Sequence, residues 1–449
     1  MILSRLPWLF LVISLPALLA FALLTPPFQQ PDEAAHLFKA AHLSLGRAMG
    51  IKIEDHVDSG GYIDKSYRAL YEQLGKAAVP LRDIAQVQPI AISGELSFAG
   101  FPNTVQYGPF LYAPQAATLW LSRQLRLSVL QSFYAARIIT GLVAIVIGFI
   151  ALRIAMRGQL ILFFLLTMPM SLFLLGSISQ DSLLISSSAL FSALATRIIA
   201  SERPPTVVQA LLLTGLLIAI SLGRPTYILL GGVFLTQPLA FVKCGPNRLL
   251  RHAGILLLVA SICIVAMWMV AISNTRVNLL PGVDAGQQLE FLLAHPLHMP
   301  SLLWHTVWRY GPVVAAGFFG LLGLHNIVLP MVCYFMAAAG LALSALHGAT
   351  QPFALSLKDR CIVSASIVGG VLVTLLALYL TWTPIGAAIV EGLQGRYFIP
   401  LAMLLPLCLP VVSSNCRLAK MKGEWVARIV ALTAAAGATA ATITIGASF

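Results

Sequence analysis

Apolar runs of about twenty residues recur from one end of the chain to the other, and no other feature of the sequence restricts its possible folds as severely. Wound as a helix at about 1.5 Å per residue, such a run matches a hydrocarbon core roughly 30 Å thick. The runs are Leu6–Leu24, Ala135–Ile154, Leu160–Gly176, Leu183–Ile199, Val207–Leu222, Tyr227–Val242, Gly254–Ala271, Ile327–Leu346, Cys361–Trp382, Tyr397–Val412 and Trp425–Gly446. Lipid offers backbone amides no partner, so each run is expected to be helical. The expected fold is therefore all-α, a polytopic transmembrane helix bundle of about eleven spans in a single membrane domain, residues 1–449. Composition agrees: 59% of the residues are hydrophobic and 10% charged, where a soluble domain has about 25% charged.

The formal charge of +12 is spread over short connectors rather than gathered in one patch, which argues for membrane topology and against nucleic acid. With the amino terminus inside, Arg153 and Arg157, Arg197 and Arg203, Lys243, Arg248 and Arg251, Lys358 and Arg360, and Arg417, Lys420 and Lys422 all fall on the cytoplasmic side. The short outer connectors keep only Arg224, Arg276 and Arg396, as the positive-inside rule requires. Arg5 and the apolar run after it have the outline of a secretory signal. The run exceeds the usual core of about 7 to 15 residues and no small-x-small site precedes Pro26, so an uncleaved first span is expected. The six cysteines, Cys244, Cys263, Cys333, Cys361, Cys408 and Cys416, show no CxxC spacing and read as small hydrophobes.

Two apolar segments, Tyr107–Leu121 and Ser301–Leu324, are not counted as spans, because adding either one inverts every later loop. Their Trp, Tyr and Arg content suits helices lying in the outer interface. The outer side then owns a first loop, residues 25–134, and a second segment, residues 273–326.

Chemically capable residues collect on that side. Pro31 can open a helix just after the first span, and Asp32 and Glu33 suit its positive first turn. His36 lies three and four residues on, so the three can face one spot, although simple capping is an equal reading. Asp181 interrupts some forty apolar residues, and its charge would cost roughly 2.5–3.5 kcal/mol at a bilayer centre, which places it in an outer turn. Arg396, between Gly392, Gly395 and the next span, offers a planar fork for phosphate or carboxylate; Arg224 is a second cation. An interfacial lipid anchor is the alternative for Arg396. His295, His298 and His305 lack carboxylates at ligand spacing, and no Walker loop, GxSxG or HExxH motif is present.

These residues resemble a known family. Pro26-Pro-Phe-Gln-Gln-Pro-Asp-Glu-Ala-Ala-His36 with Lys39, Ala40 and Gly46 looks like the opening signature of the bacterial membrane proteins called domain of unknown function 2142. Ser179-Gln-Asp-Ser182, Pro281-Gly-Val with Gln288, His295-Pro296, and Gln394-Gly-Arg-Tyr-Phe398 with Pro400 look like its later landmarks. That family is similar in plan to the GT-C glycosyltransferases, which draw sugars from polyprenyl-phosphate carriers. The resemblance implies catalytic roles for Asp32 and Glu33. It also implies that Asp181 holds their second acidic site, and with the residue chemistry above the expected substrate-binding residues are His36, Tyr107, Asp181, Arg224, Gln394, Arg396 and Tyr397. Tyr107-Gly-Pro-Phe-Leu-Tyr112 resembles the proline-aromatic surface helix of those enzymes.

The implied function is inverting transfer of a sugar from a polyprenyl-phosphate donor to a glycan or lipid-linked acceptor in cell-envelope polysaccharide biosynthesis. The implied place is the outer face of the bacterial cytoplasmic membrane, with the amino terminus cytoplasmic. The second acidic segment lacks a full Asp-x-Asp, so metal use stays open, with a divalent cation shared by Asp32 and His36 as the one candidate. A flippase for a lipid-linked glycan and a glycan ligase or polymerase are the alternatives.

Overall fold

A computed structural model of the chain describes residues 2–53, 58–75, 79–84, 86–243, 249–278, 280–353, 355–412 and 423–449. The expected positive residues Arg248, Arg417, Lys420 and Lys422, and the cysteines Cys244 and Cys416, lie outside them.

The first span is α1 (Leu6–Leu24). The excursion after it carries α2 (Glu33–Leu43), strands β1 (Ile51–Ile53) and β2 (Asp58–Asp64), α3 (Lys65–Leu74), α4 (Leu81–Ile84), strand β3 (Leu96–Gly100) and α5 (Ala113–Gln124). The chain returns through α6 (Val129–Ile154), α7 (Gln159–Thr167) and α8 (Pro169–Leu175), then α9 (Asp181–Ala200), α10 (Val207–Gly223) and α11 (Ala253–Ala271). A second excursion holds α12 (Ala285–Ala294) and α13 (His298–Phe319). Helices α14 (Met331–Ala349), α15 (Leu357–Trp382), the short α16 (Ile399–Ala402) and α17 (Leu405–Cys408), and α18 (Gly423–Ser448) complete the bundle.

Among the described residues seven helices are long and apolar enough to cross a membrane, ending or beginning near α1, α6, α9, α11, α14, α15 and α18. The remaining four expected spans are short or broken. Leu160–Gly176 divides at Met168–Pro169, Val207–Leu222 is the 17-residue α10, Tyr227–Val242 is mostly a 3-10 helix, Pro225–Leu235, and Tyr397–Val412 is a string of short turns. Irregular backbone at membrane depth survives only where protein surrounds it. That condition holds for α7 and α8, whose residues are buried but for Gln159. At their break, Thr167 Oγ1 donates to the Phe164 carbonyl at 3.3 Å and Ser171 Oγ to the Leu165 carbonyl at 2.6 Å, which satisfies acceptors the lost turn would leave open.

Helix α9 forms the centre of the bundle, and 83% of its most apolar window is buried. Small residues, Ser182, Ser186, Ser187, Ser188 and Ser192, line it and let neighbouring helices approach closely. Gly141 of α6 has the same role against α1 and α8: a Cβ there would stand 2.3 Å from Leu18 and 2.5 Å from the Leu175 carbonyl.

The first excursion departs from the all-helical expectation by forming an antiparallel sheet in the order β1-β2-β3. It packs with α2, α3 and α5 over a separate core that includes Leu37, Tyr67, Leu70, Phe101 and Phe133. The Tyr107–Leu121 segment becomes a 3-10 turn, Phe110–Tyr112, followed by α5, and Ser301–Leu324 becomes most of α13 and the start of a hairpin in which Leu321 and Leu322 pair with Val328 and Ile327.

Chain alternation brings the carboxyl ends of α1, α10 and α15 and the amino ends of α6 and α9 to one end of the bundle. The connectors with Arg153, Arg157, Arg197, Arg203, Arg251, Lys358 and Arg360 lie at the other end.

Candidate functional site

Asp32 precedes α2 in the left-handed backbone conformation, with φ of 58°, and its side chain makes no capping bond. A non-glycine residue held there is strained. The capping alternative raised by the sequence therefore does not describe Asp32. The twist turns its carboxylate away from the helix, where Oδ2 takes a 2.7 Å contact from Arg396 Nη2 and Oδ1 a 3.1 Å hydrogen bond from Asn103 Nδ2.

Glu33, one residue on, points the opposite way. Both of its oxygens meet the Arg137 guanidinium, at 2.8 Å from Nε and 2.6 Å from Nη2, and the amides of Phe28 and Ile178 donate to them as well. Arg137 spends its other donors on the carbonyls of Ala22, Thr25 and Pro26. Both side chains have 0% exposure. Glu33 is thus removed from the pocket that the sequence reading gave it, because the left-handed turn at Asp32 sends two adjacent carboxylates in different directions.

Arg396 lies in the 3-10 turn Gly395–Phe398, and its side chain is 2% exposed. Its fork is divided among three acceptors: Nη1 to Asp181 at 2.6 Å, Nη2 to Asp32 at 2.7 Å, and Nε to Gln394 Oε1 at 2.6 Å. Asp181 opens α9, and its other oxygen faces Arg224 Nη2 at 3.7 Å. Arg224 ends α10 and lies over the Tyr397 ring, 4.0 Å from its centroid. Tyr227 supports that ring by donating to the Tyr397 carbonyl at 2.7 Å. Two carboxylates and two guanidiniums, 364 residues apart at the extremes, thus form one chain of alternating charge.

The cluster borders a cavity of about 150 Å³ that Asp32, His36, Tyr107, Arg224, Gln394 and Tyr397 help to line. Burial alone would raise the Asp32 carboxyl, but Arg396 and His36 outweigh it and hold the group below the usual carboxylate range. His36 is buried and pairs through Nδ1 with the Tyr112 hydroxyl at 2.6 Å. Loss of hydration pushes its pKa down to about 4, so it is neutral near pH 7. Among the described residues no group of three or more His, Cys, Asp and Glu side chains is placed to hold a metal ion. A cation at Asp32 and His36 would therefore find no third His, Cys, Asp or Glu ligand among the described residues.

From this cavity a cleft of about 210 Å³ continues between α11 and α15. Arg224, Pro225 and Thr226 lie at its inner side, with Met269 and Arg276 on one wall and Thr374, Ala377 and Leu378 on the other.

Arg137, which locks Glu33, and two residues at the edge of the cluster, Asn103 on Asp32 and His325 near Arg396, escaped the sequence reading. Arg137 carried a visible signal, since an arginine within an apolar run needs a partner. Asn103 and His325 carried none, being single polar residues in loops. The histidines His295, His298 and His305 stay outside the cluster; His298, for example, is bonded to the Tyr379 hydroxyl at 3.0 Å.

No curated protein and no solved structure matches the chain. A family model described as "Predicted membrane protein (DUF2142)" matches residues 15–405, from within α1 through the charge cluster and past Arg396. With that match over most of its length, and with the helical membrane bundle described above, the chain belongs to the DUF2142 family of predicted membrane proteins.

Proposed function

We propose that the protein is a membrane glycosyltransferase, and that it moves a sugar from a polyprenyl-phosphate donor to an acceptor hydroxyl at the outer face of the membrane. The observation that carries this reading is the Asp32–Arg396–Asp181–Arg224 chain of charges at the head of a cleft between two apolar helices. A prenyl chain gains nothing from leaving lipid for such a cleft, so donor affinity must come from the headgroup, where two guanidiniums await an anion.

In the resting cluster Arg396 is held by carboxylates. Donor phosphate takes over the Nη2 donor and frees Asp32, whose side chain is already 35% exposed. Release from Arg396 removes a main cause of its lowered pKa, so Asp32 becomes a better base as the donor binds. It then accepts the proton of the acceptor hydroxyl while that oxygen bonds to the anomeric carbon. The bond from that carbon to the phosphate oxygen breaks on the opposite face, its electron pair stays on the phosphate, and Arg396 and Arg224 stabilise the added charge. Asp181 keeps the two guanidiniums at a fixed spacing.

The test is transfer of radiolabelled sugar from polyprenyl-phosphate donors by purified protein. Asp32→Asn preserves shape and is expected to lower the rate about 10²–10⁴-fold. Full activity in that variant removes the proposed base. If purified protein makes no glycosidic bond yet moves lipid-linked glycan across vesicles, the transport reading replaces this one.

A further inference from the structure

A second chamber, about 230 Å³, lies on the far side of the Gly392–Gly395 segment, against α13 and the hairpin that carries His325. The two cavities share Gly392 and Gln394 as a common wall. Their chemistry differs sharply. Among the described residues no Asp, Glu, Lys or Arg lines the second chamber, whereas Asp32 and Arg224 line the first.

We propose that this second chamber binds a neutral, hydroxyl-rich glycosyl group, the acceptor, and that His325 Nε2 is one of its hydrogen-bond partners. The inference rests on the glycosyltransferase reading and extends it. An anion would find no cation among the lining residues. An alkyl chain would leave a polar atom unmet, since His325 Nε2 is buried without a hydrogen-bond partner among the described residues. The Gln394 amide lies close enough to draw the ring's pKa upward but makes no well-aligned bond to that nitrogen. A sugar hydroxyl meets both requirements, being uncharged and able to donate. Burial, with Arg396 nearby, holds His325 down at about 4, so the ring stays neutral and keeps a lone pair to offer. Across the shared wall Gln394 also holds Arg396, and both Arg396 and Asp32 are near enough to act on the His325 ring, so a sugar seated in this chamber lies beside the phosphate site and the proposed base.

The experiment uses the full chain in lipid nanodiscs with two kinds of probe. Saturation-transfer NMR reads binding of a panel of methyl hexosides and methyl N-acetylhexosaminides, and thermophoresis reads binding of undecaprenyl phosphate. At least one glycoside is expected to bind the unaltered protein. His325→Phe removes the acceptor nitrogen and Val313→Trp fills the chamber from the other wall, and each is expected to weaken that glycoside about tenfold or more. Undecaprenyl phosphate affinity should stay within about twofold in both variants, which also shows that they fold. Glycoside binding that survives both substitutions overturns the assignment. So does undecaprenyl phosphate binding without any glycoside binding, and in that case the donor-site reading stands. Failure of both probes on the unaltered protein overturns the donor-site reading as well.

Discussion

Asp32 and Glu33 are adjacent acids, each paired with an arginine far away in sequence, yet the two pairs are built for different ends. Around Glu33 and Arg137 every nitrogen of the guanidinium donates and both carboxylate oxygens accept, with no exposure to solvent. In the cluster of Asp32 and Arg396 the pairing is incomplete: the Asp32 side chain is 35% exposed, Arg224 approaches Asp181 only to 3.7 Å, and a cavity lies alongside. A saturated pair has nothing left for a ligand and holds structure together, in this case α1, the turn before α2, and α6. An unsaturated one can exchange a partner for a ligand. The sharpest break of this comparison is Arg137→Met. It leaves the Glu33 carboxylate buried without its partner, and such a loss costs about 3–5 kcal/mol. Thermal stability in detergent should fall steeply, whereas Arg396→Met, which leaves Arg224 beside Asp181 and Asp32 partly open to solvent, should lose less stability and no longer transfer sugar. If Arg137→Met melts with the unaltered protein, the structural role given to that pair is mistaken.

The second effect concerns geometry rather than charge. Arg396 reaches two carboxylates and Gln394 through three separate nitrogens, which a lysine ammonium cannot copy. Arg396→Lys should weaken donor binding by about 1.5–3 kcal/mol, roughly tenfold to a hundredfold, the worth of a hydrogen bond to a charged group. Unchanged affinity for undecaprenyl phosphate would show that net charge alone suffices.

Much of the bundle is visible in the apolar runs. Leu6–Leu24 is α1 to the residue, and Leu183–Ile199 lies within α9, because a run of spanning length in lipid has one low-energy form. Hydropathy reports burial, however, and burial by protein leaves the backbone freer. The broken stretches carry their own marks: Pro169 at the α7–α8 break, Gly231 and Gly232 in the 3-10 helix, and Pro400, Pro406 and Pro410 after Arg396. The meeting of Asp32, Asp181, Arg224 and Arg396 at one end follows from counting crossings, whereas the separation of Glu33 from Asp32 depends on a single backbone angle that composition does not encode. Likewise the β1–β2–β3 sheet arises in a stretch with few apolar residues, where neither period stands out.

A smaller effect tests how the unsaturated cluster is kept in place. Gly395 lies directly on α13, and a Cβ there would come within 2.0 Å of the Val314 carbonyl and 2.2 Å of the Phe318 amide. Because those contacts are backbone, neither can rotate aside. Gly395→Ala should push the Gly392–Gly395 wall from the helix at a cost of about 1–3 kcal/mol and lower transfer and stability together. The Glu33–Arg137 pair, anchored elsewhere, should be untouched, which a thermal-shift comparison of Gly395→Ala alone and combined with Arg137→Met would show as additive losses.

The smallest effect separates the two regions by pH. His36 belongs to the open cluster, and its pKa is about 4 in the fold against an ordinary value of 6.5. Between those values the unfolded chain binds a proton that the folded one does not, so stability rises with pH across this window. It is fully present above about 6.5, and it is lost as the pH falls toward 4, at about 1.4 kcal/mol per unit where the two states differ by a whole proton. At pH 5.5 the loss from His36 is roughly 1 kcal/mol. His325, also lowered to about 4, adds to the same slope. His36→Phe should therefore flatten the melting temperature between pH 6.5 and 4.5 in part and leave the remainder to other groups, His325 among them. An unaltered slope in that variant would mean that His36 is hydrated and free to protonate in the folded protein, and the cluster would then be more open than the buried His36–Tyr112 contact implies.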